Sequence, residues 1–169
     1  DLAKGLEARG AKFVIESAGN PSLTLAIVQS YKNVPETSYL HFYFQKMLKS
    51  VLKPSTVVIA SNTAGYRNGK NTFRGVKPEE SSFLHWGNKN IRDGVCDMMA
   101  IGRQSLADPL LPSKLAQGKA DEVQWCTVCD NCIEFLIRQK PVGCSTYERE
   151  YTLALKAMRA EQGKLGEAE

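Results

Sequence analysis

Four cysteines crowd into one short stretch of the chain: Cys126, Cys129, Cys132 and Cys144, spaced C-x2-C-x2-C-x11-C. Two-residue gaps let successive thiolates turn toward one centre from a tight loop, while the fourth ligand returns from a later turn. Three close cysteines and one remote one commonly hold a cubane iron–sulfur cluster. Structural zinc more often takes two separated C-x2-C pairs or brings in histidine. The two histidines, His41 and His85, lie far from the stretch. The spacing favours an iron–sulfur cluster on Cys126, Cys129, Cys132 and Cys144, with zinc and a disulfide pair as alternatives; a reducing compartment disfavours the disulfide. Cys96 stands alone beside an apolar run and reads as core. Between the third and fourth ligands, Ile133, Phe135, Leu136 and Ile137 are expected to exclude water around the centre. Arg138 and Lys140 either offset its negative charge or form a solvated helix face.

A second feature precedes the cysteines. Ile101-Gly102-Arg103 ends an apolar run, Met98 to Ile101, and is followed by Gln104-Ser105-Leu106-Ala107-Asp108-Pro109. Glycine lets backbone N–H groups approach an anion, helix N-terminal amides point at it, and arginine adds a bidentate charge. At a strand end before a helix, the pair reads as a phosphate turn.

The elements positioning these groups are strands separated by helices. Phe13-Val14-Ile15 follows a short helical face made by Leu2, Ala3 and Leu6, which Gly10 terminates, and the turn Ser17 to Pro21 ends the strand. Thr37 and Ser38 are expected to cap a helix whose apolar face is Tyr39, Phe42, Tyr43, Met47, Leu48, Val51 and Leu52. Pro54 stops it, and Thr56 to Ala60 is a second buried strand. Residues 62–82 form a long polar stretch, too long for a plain connection. Helices are expected over 86–93 and 110–117, the latter closed by Gly118. A terminal helix carries Tyr151, Ala154, Leu155 and Met158 on one face, with a frayed tail from Gln162. Continuous apolar strands without hairpin turns predict parallel β/α units. Three such units cannot close a barrel but fit the last three of eight. The first residues read as the middle of a helix, so the sequence is expected to be cut from something longer.

Bulk properties exclude little else. The 169 residues are 43% hydrophobic and 24% charged, ordinary for a soluble globular protein. The net charge of +4 is spread without a basic stripe, which argues against nucleic acid. No apolar run reaches the roughly 18 residues of a membrane span, and Asp1 to Gly10 reads as a polar amphipathic segment rather than a secretory signal, so a cytoplasmic location is expected.

The stretch Asp97 to Pro109 resembles the last strand and phosphate turn of old yellow enzyme-type NADH:flavin oxidoreductases. The cysteines behind it narrow the resemblance to the iron–sulfur branch, which includes 2,4-dienoyl-CoA reductase and trimethylamine dehydrogenase. The similarity runs from Leu2-Ala3-Lys4 through Cys144. It implies an α/β fold, the C-terminal portion of a (β/α)8 TIM barrel, with the last three β/α units in residues 1–120. An iron–sulfur segment and C-terminal helix would fill residues 121–169.

The resemblance further implies FMN, with Gly102 and Arg103 on its phosphate and Ala60, Ser61 and Asn62 in backbone contact with it. It also implies a 4Fe-4S cluster on the four cysteines. Ser61 to Gly65 departs from the Gly-Arg-like turn frequent after the seventh strand. The x2 gap before the third cysteine matches trimethylamine dehydrogenase rather than the x3 of dienoyl-CoA reductases. The implied activity is an NAD(P)H:flavin oxidoreductase acting on a small-molecule substrate, an activated alkene of the enoate or enoyl type, with amine demethylation as the variant within the family. The residues that activate and protonate substrate are expected upstream of Asp1. No membrane or nucleic-acid partner is expected, and a separate electron-transfer partner and a homo-oligomer are both left open. From another class, a non-catalytic zinc-binding or electron-carrier module would use the same four cysteines.

Overall fold

A computed structural model describes residues 1–17, 36–61 and 82–166, with side chains over 1–17, 38–61 and 82–162. The turn expected over 18–21, the Thr37 side chain and the polar stretch 62–81 lie outside the described residues. The chain divides into two compact units, Asp1–Gly102 and Arg103–Glu169.

The first unit contains α1 (Leu2–Ala8), β1 (Phe13–Glu16), α2 (Glu36–Val51), β2 (Val57–Ala60), α3 (Phe83–Arg92) and β3 (Met98–Met99). Its strands form one parallel sheet in the order β1-β2-β3. Phe13 stands opposite Val57, Glu16 opposite Ala60, and Ile59 opposite Met98. Parallel neighbours need crossovers, and α2 and α3 lie between the strands in sequence; the unit is α/β, as the alternation of elements predicts. Gly10, at φ 100°, lets the chain turn out of α1 into β1. Ser82 caps α3, its hydroxyl accepting from the amides of Leu84 (3.1 Å) and His85 (3.4 Å). That cap starts α3 three residues before the expected Trp86.

The central strand carries the core. Val58 and Ala60 are fully buried and cluster with Leu52 and Cys96, with Ala3, Val14, Leu48 and Met99 packed around them. Two side chains brace the sheet ends. The Glu7 carboxylate accepts from the Lys53 amide (2.8 Å) and the Thr56 hydroxyl (2.6 Å), joining α1 to the turn before β2. Asp97 accepts from Lys49 Nζ (2.8 Å) and the Val58 amide (2.8 Å) at the start of β3.

Two expectations about burial are corrected. Among the described residues β1 lies at the edge of the sheet, and Phe13 and Ile15, on one face of it, are 65% and 61% exposed, so its run is not buried throughout. On α2, Tyr39, Tyr43, Met47 and Val51 are exposed, while Ser38, His41 and Gln45 are buried. Ser38 is not the cap, because the helix already includes Glu36. The reason for the polar face is Glu16, buried at the end of β1: its carboxylate accepts from Gln45 Nε2 (3.0 Å) and lies 3.0 Å from His41 Nδ1. A buried carboxylate needs polar partners, and these two residues are one turn apart on α2. Tyr39 and Phe42 instead meet Trp86 of α3, with ring centroids 5.6 and 5.1 Å away.

The second unit contains α4 (Arg103–Ala107), α5 (Leu111–Ala116), a 3-10 turn (Ala120–Glu122), α6 (Asn131–Ile137) and α7 (Arg149–Gly166). Gly118, at φ 72°, ends α5 as expected. Phe135 of α6 packs with Leu155 and Met158 of α7, and Val142 and Tyr151 complete that core. The α7 helix continues four residues past Gln162, further than the frayed tail expected there. Among the described residues no helix is long and apolar enough to cross a membrane.

Candidate metal centre

The cysteine loop begins on two buried polar side chains from α4 and the turn after it. Gln104 Oε1 accepts from the Cys126 amide (2.8 Å), and Gln104 Nε2 donates to the Gln124 carbonyl (3.0 Å), so one side chain holds the strand-like segment on both sides of Trp125. Asp108 accepts from the amides of Gln124 (2.9 Å) and Leu110 (3.1 Å) and from Lys114 Nζ (2.6 Å). Burial works to raise the Asp108 pKa, but the Lys114 ammonium and the two amides outweigh it and hold the carboxyl below its ordinary value. A carboxyl depressed on folding stabilises the fold above its unfolded pKa, and that contribution is lost as pH falls through the folded value. Asp108→Asn is therefore expected to cost about 1–3 kcal/mol at pH 7. Below the folded-state pKa, where the parent carboxyl is also neutral, the cost shrinks toward nothing. Urea titrations of parent and variant at both pH values check this, and an equal loss at both would contradict it.

From Cys126 the backbone takes an unusual path. Val128 and Asp130, each lying between two cysteines, have φ of 53° and 62°. For a β-branched residue this left-handed conformation is strongly disfavoured, costing on the order of 1–2 kcal/mol. Such strain persists where surrounding structure over-determines it, commonly at functional sites. Here it turns the loop so that the Val128 amide donates to Cys126 Sγ (3.4 Å) and Asp130 leads into α6, with Cys132 in its first turn.

The return segment is tied to this loop by side-chain contacts. Asn131 Nδ2 donates to Ser145 Oγ (2.9 Å), the Tyr147 hydroxyl donates to the Trp125 carbonyl (2.8 Å), and the Thr127 and Thr146 hydroxyls stand 3.2 Å apart. Cys144 is thereby brought back to the others. All four cysteines line one pocket, together with Arg103. Arg103 Nη1 donates to Asp130 Oδ1 (2.7 Å), which places a guanidinium beside the thiols.

The four sulfurs are not equivalent. Burial pushes the Cys126 and Cys132 thiols up, with the positive charge of Arg103 acting in the opposite sense. At Cys129, the exposed member, burial also raises the pKa. The Asn131 amide and the hydroxyls of Thr127 and Thr146 outweigh it, and the net shift is downward. Among the described residues, no three Cys, His, Asp or Glu side chains are set to share a single ion. Tetrahedral zinc needs four sulfurs at about 2.3 Å from one point, ~3.8 Å from each other. A cubane gives each thiolate its own iron, so its ligands can stay further apart. An all-thiol pocket with a neighbouring guanidinium and amides directed at its sulfurs has the donor chemistry of a thiolate-held metal group.

The residues expected on a flavin phosphate are distributed as follows. Ala60 ends β2 and accepts through its carbonyl from the Ala100 amide (2.7 Å); Ser61 Oγ donates to the Glu16 carbonyl (2.5 Å). Asn62 lies outside the described residues. Gly102 closes the first unit with open space around its Cα, and Arg103 begins α4 in the second.

Of the apolar residues expected to shield the centre, Phe135 is buried, but Leu136 and Ile137 are 63% and 76% exposed, because α6 turns that face outward. Arg138 pairs with Glu134 (3.5 Å). The cations felt by the thiols are Arg103, at Cys126 and Cys132, and Arg159, beside Cys129. Cys96 is buried core in the first unit, as expected. Sequence reasoning missed Gln104, Asp108, Asp130 and Thr146. Only the adjacency of Gln104 to the Gly-Arg pair offered a signal, since its partners lie about twenty residues away.

No family model matches the chain. Over 55 residues it is 33% identical to a metal reductase of Desulforamulus reducens, covering 32% of this chain and 8% of that protein. Over 84 residues it is 33% identical to a bilirubin reductase of Mediterraneibacter gnavus, covering 46% and 12%. Over 43 residues it is 40% identical to a dimethylamine dehydrogenase of a Hyphomicrobium species, covering 25% and 6%. Among solved structures, the 6-hydroxypseudooxynicotine amine oxidase of Pseudomonas geniculata N1 matches with a TM-score of 0.46 and 25% identity, over 62% of this chain and 13% of that one. The chain thus spans between 6% and 12% of the length of these curated relatives. They are named as two reductases and a dehydrogenase.

Proposed function

We propose that the chain is the C-terminal part of an FMN- and 4Fe-4S-dependent NAD(P)H:flavin oxidoreductase that reduces activated alkenes of the enoate or enoyl type. Its parallel β/α units are the last three of a (β/α)8 barrel, and its cysteine segment is the cluster domain. The observation carrying this reading is the pocket lined by Cys126, Cys129, Cys132 and Cys144 with Arg103 beside them. The parallel sheet and the names of the relatives support it.

Within this reading the four cysteines hold the cluster, and Gly102 and Arg103, with the backbone of Ala60, Ser61 and Asn62, bind the flavin. When bound, the cluster supplies single-electron transfer and FMN supplies hydride chemistry. The protein's own part is to fix the four thiols, to balance their charge through Arg103 and Arg159, and to keep the loop in its left-handed path. NAD(P)H or a separate carrier protein donates electrons. A reducing, cytoplasmic setting keeps the thiols available.

Anaerobic reconstitution of the whole chain with iron and sulfide tests the central claim. The expected product is brown, with broad visible absorption and about four irons and four sulfides per chain, as a cubane requires. A colourless chain carrying one zinc would replace this reading with a zinc-binding module.

A further inference from the structure

The four sulfurs differ most in their donors. Cys126 receives the Val128 amide at 3.4 Å. Cys129 meets the Thr146 hydroxyl at 3.8 Å, and that hydroxyl stands 3.2 Å from the hydroxyl of Thr127. Thr146 lies two residues beyond Cys144, so the same return segment supplies both a ligand and a donor to another ligand. Ser145 on Asn131 and Tyr147 on the Trp125 carbonyl pin the residues on either side of it. Position 146 is therefore held by its neighbours, and its hydroxyl is free to serve the sulfur.

Resting on the cluster reading above, we propose that Thr146 is a positioning residue that sets the reduction potential of the cluster through Cys129, with the Thr127 hydroxyl acting on the same sulfur. Adding an electron increases negative charge on the ligand sulfurs. A hydroxyl donating to one of them stabilises the reduced state more than the oxidised state, and this raises the potential. The Thr127 hydroxyl stands 3.2 Å from that of Thr146 and also acts on Cys129, so the two hydroxyls serve the same sulfur. The exposure of Cys129 makes it the sulfur where loss of a protein donor is least complicated by repacking.

The test is a redox titration followed by electron paramagnetic resonance, on whole chains reconstituted with iron and sulfide. Thr146→Val keeps the side-chain shape and removes the donor. It is expected to shift the equilibrium about fivefold toward the oxidised cluster, roughly 40 mV downward at 59 mV per tenfold for one electron. Thr146→Ser restores the hydroxyl and is expected to return the potential to the parent value. An unchanged or raised potential in Thr146→Val, with iron and sulfide content intact, overturns the role of Thr146 and leaves the cluster reading standing. If the parent chain binds no cluster, both fall. Should Thr146→Val fail to assemble, Thr146→Ala against Thr146→Ser decides: a lower potential in Thr146→Ala supports the role of the hydroxyl, and equal potentials overturn it.

Discussion

Cys132→Ala is expected to abolish cluster assembly while leaving the chain folded. The residue sits in the first turn of α6, half-buried, and its side chain faces the pocket shared by the other three cysteines. Alanine is the better helix former, so α6 itself loses nothing. Phe135, three residues on, packs on Leu155 and Met158 and does not line that pocket. What disappears is one of four thiolates, and the second unit, residues 103–169, has no histidine in its sequence to replace it. Reconstituted Cys132→Ala should therefore show iron and sulfide at background, with a circular dichroism spectrum like the parent's.

Cys96→Ala is the matched control. Its thiol is pushed up to about 11, first by burial and then by the neighbouring Asp97 carboxylate, and it lies against Met99 Sδ at 3.5 Å. It stays a protonated core group, and its loss should leave iron content unchanged. Full iron content in Cys132→Ala would refute the ligand assignment.

Gly143→Ala is expected to destabilise the second unit and to misplace the fourth ligand together. A Cβ at this position would overlap the Tyr151 ring. That ring cannot retreat freely, because it stands edge-on to Phe135, with centroids 5.7 Å apart and an interplanar angle of 87°. Overpacking of this kind costs about 1–3 kcal/mol. For a unit of this size each kcal/mol lowers the thermal midpoint by roughly 4–8 °C. Because Cys144 is the next residue, the displaced chain carries its sulfur along, and iron retention should fall with the midpoint. The double variant Gly143→Ala/Tyr151→Leu separates cause from coincidence. If the clash is the reason, the second change recovers part of what the first lost, a coupling that a thermodynamic cycle measures directly. Additive losses would show that Gly143 matters for something other than Tyr151.

The cysteines were legible in the sequence because ligand spacing is local: C-x2-C-x2-C states how a short loop can turn, and no distant residue is needed to read it. The parallel strands were legible for a similar reason, since Phe13 to Glu16 and Val57 to Ala60 are short apolar runs flanked by helical periods. Which side of those elements would be covered was not legible. Tyr39, Tyr43 and Met47 have the right spacing for a core face. The buried side of α2 keeps Leu48 and leads to Leu52 as expected, but it also carries His41 and Gln45, because Glu16, more than twenty residues away, brings a carboxylate that needs partners.

Arg103 follows the same pattern. Its place at the start of a helix could be read from the preceding run and glycine, but its bond to Asp130 spans 27 residues. Val128 was invisible for the opposite reason: valine is among the residues least expected at positive φ. Only the surrounding fold, with Gln104 fixing one end of the loop and Asn131 the other, forces it there.

The Tyr151 ring beneath Gly143 also sets an order of events for a polypeptide made from its N-terminus. Cys126, Cys129 and Cys132 leave the ribosome almost together, and Cys144 follows a dozen residues later. Gly143, the neighbour of Cys144, packs against Tyr151, and Tyr151 closes with Phe135, Leu155 and Met158 on a helix made after all four cysteines. A chain truncated before Tyr151 is expected to keep the first three thiols on their own loop and to leave the fourth without its backing.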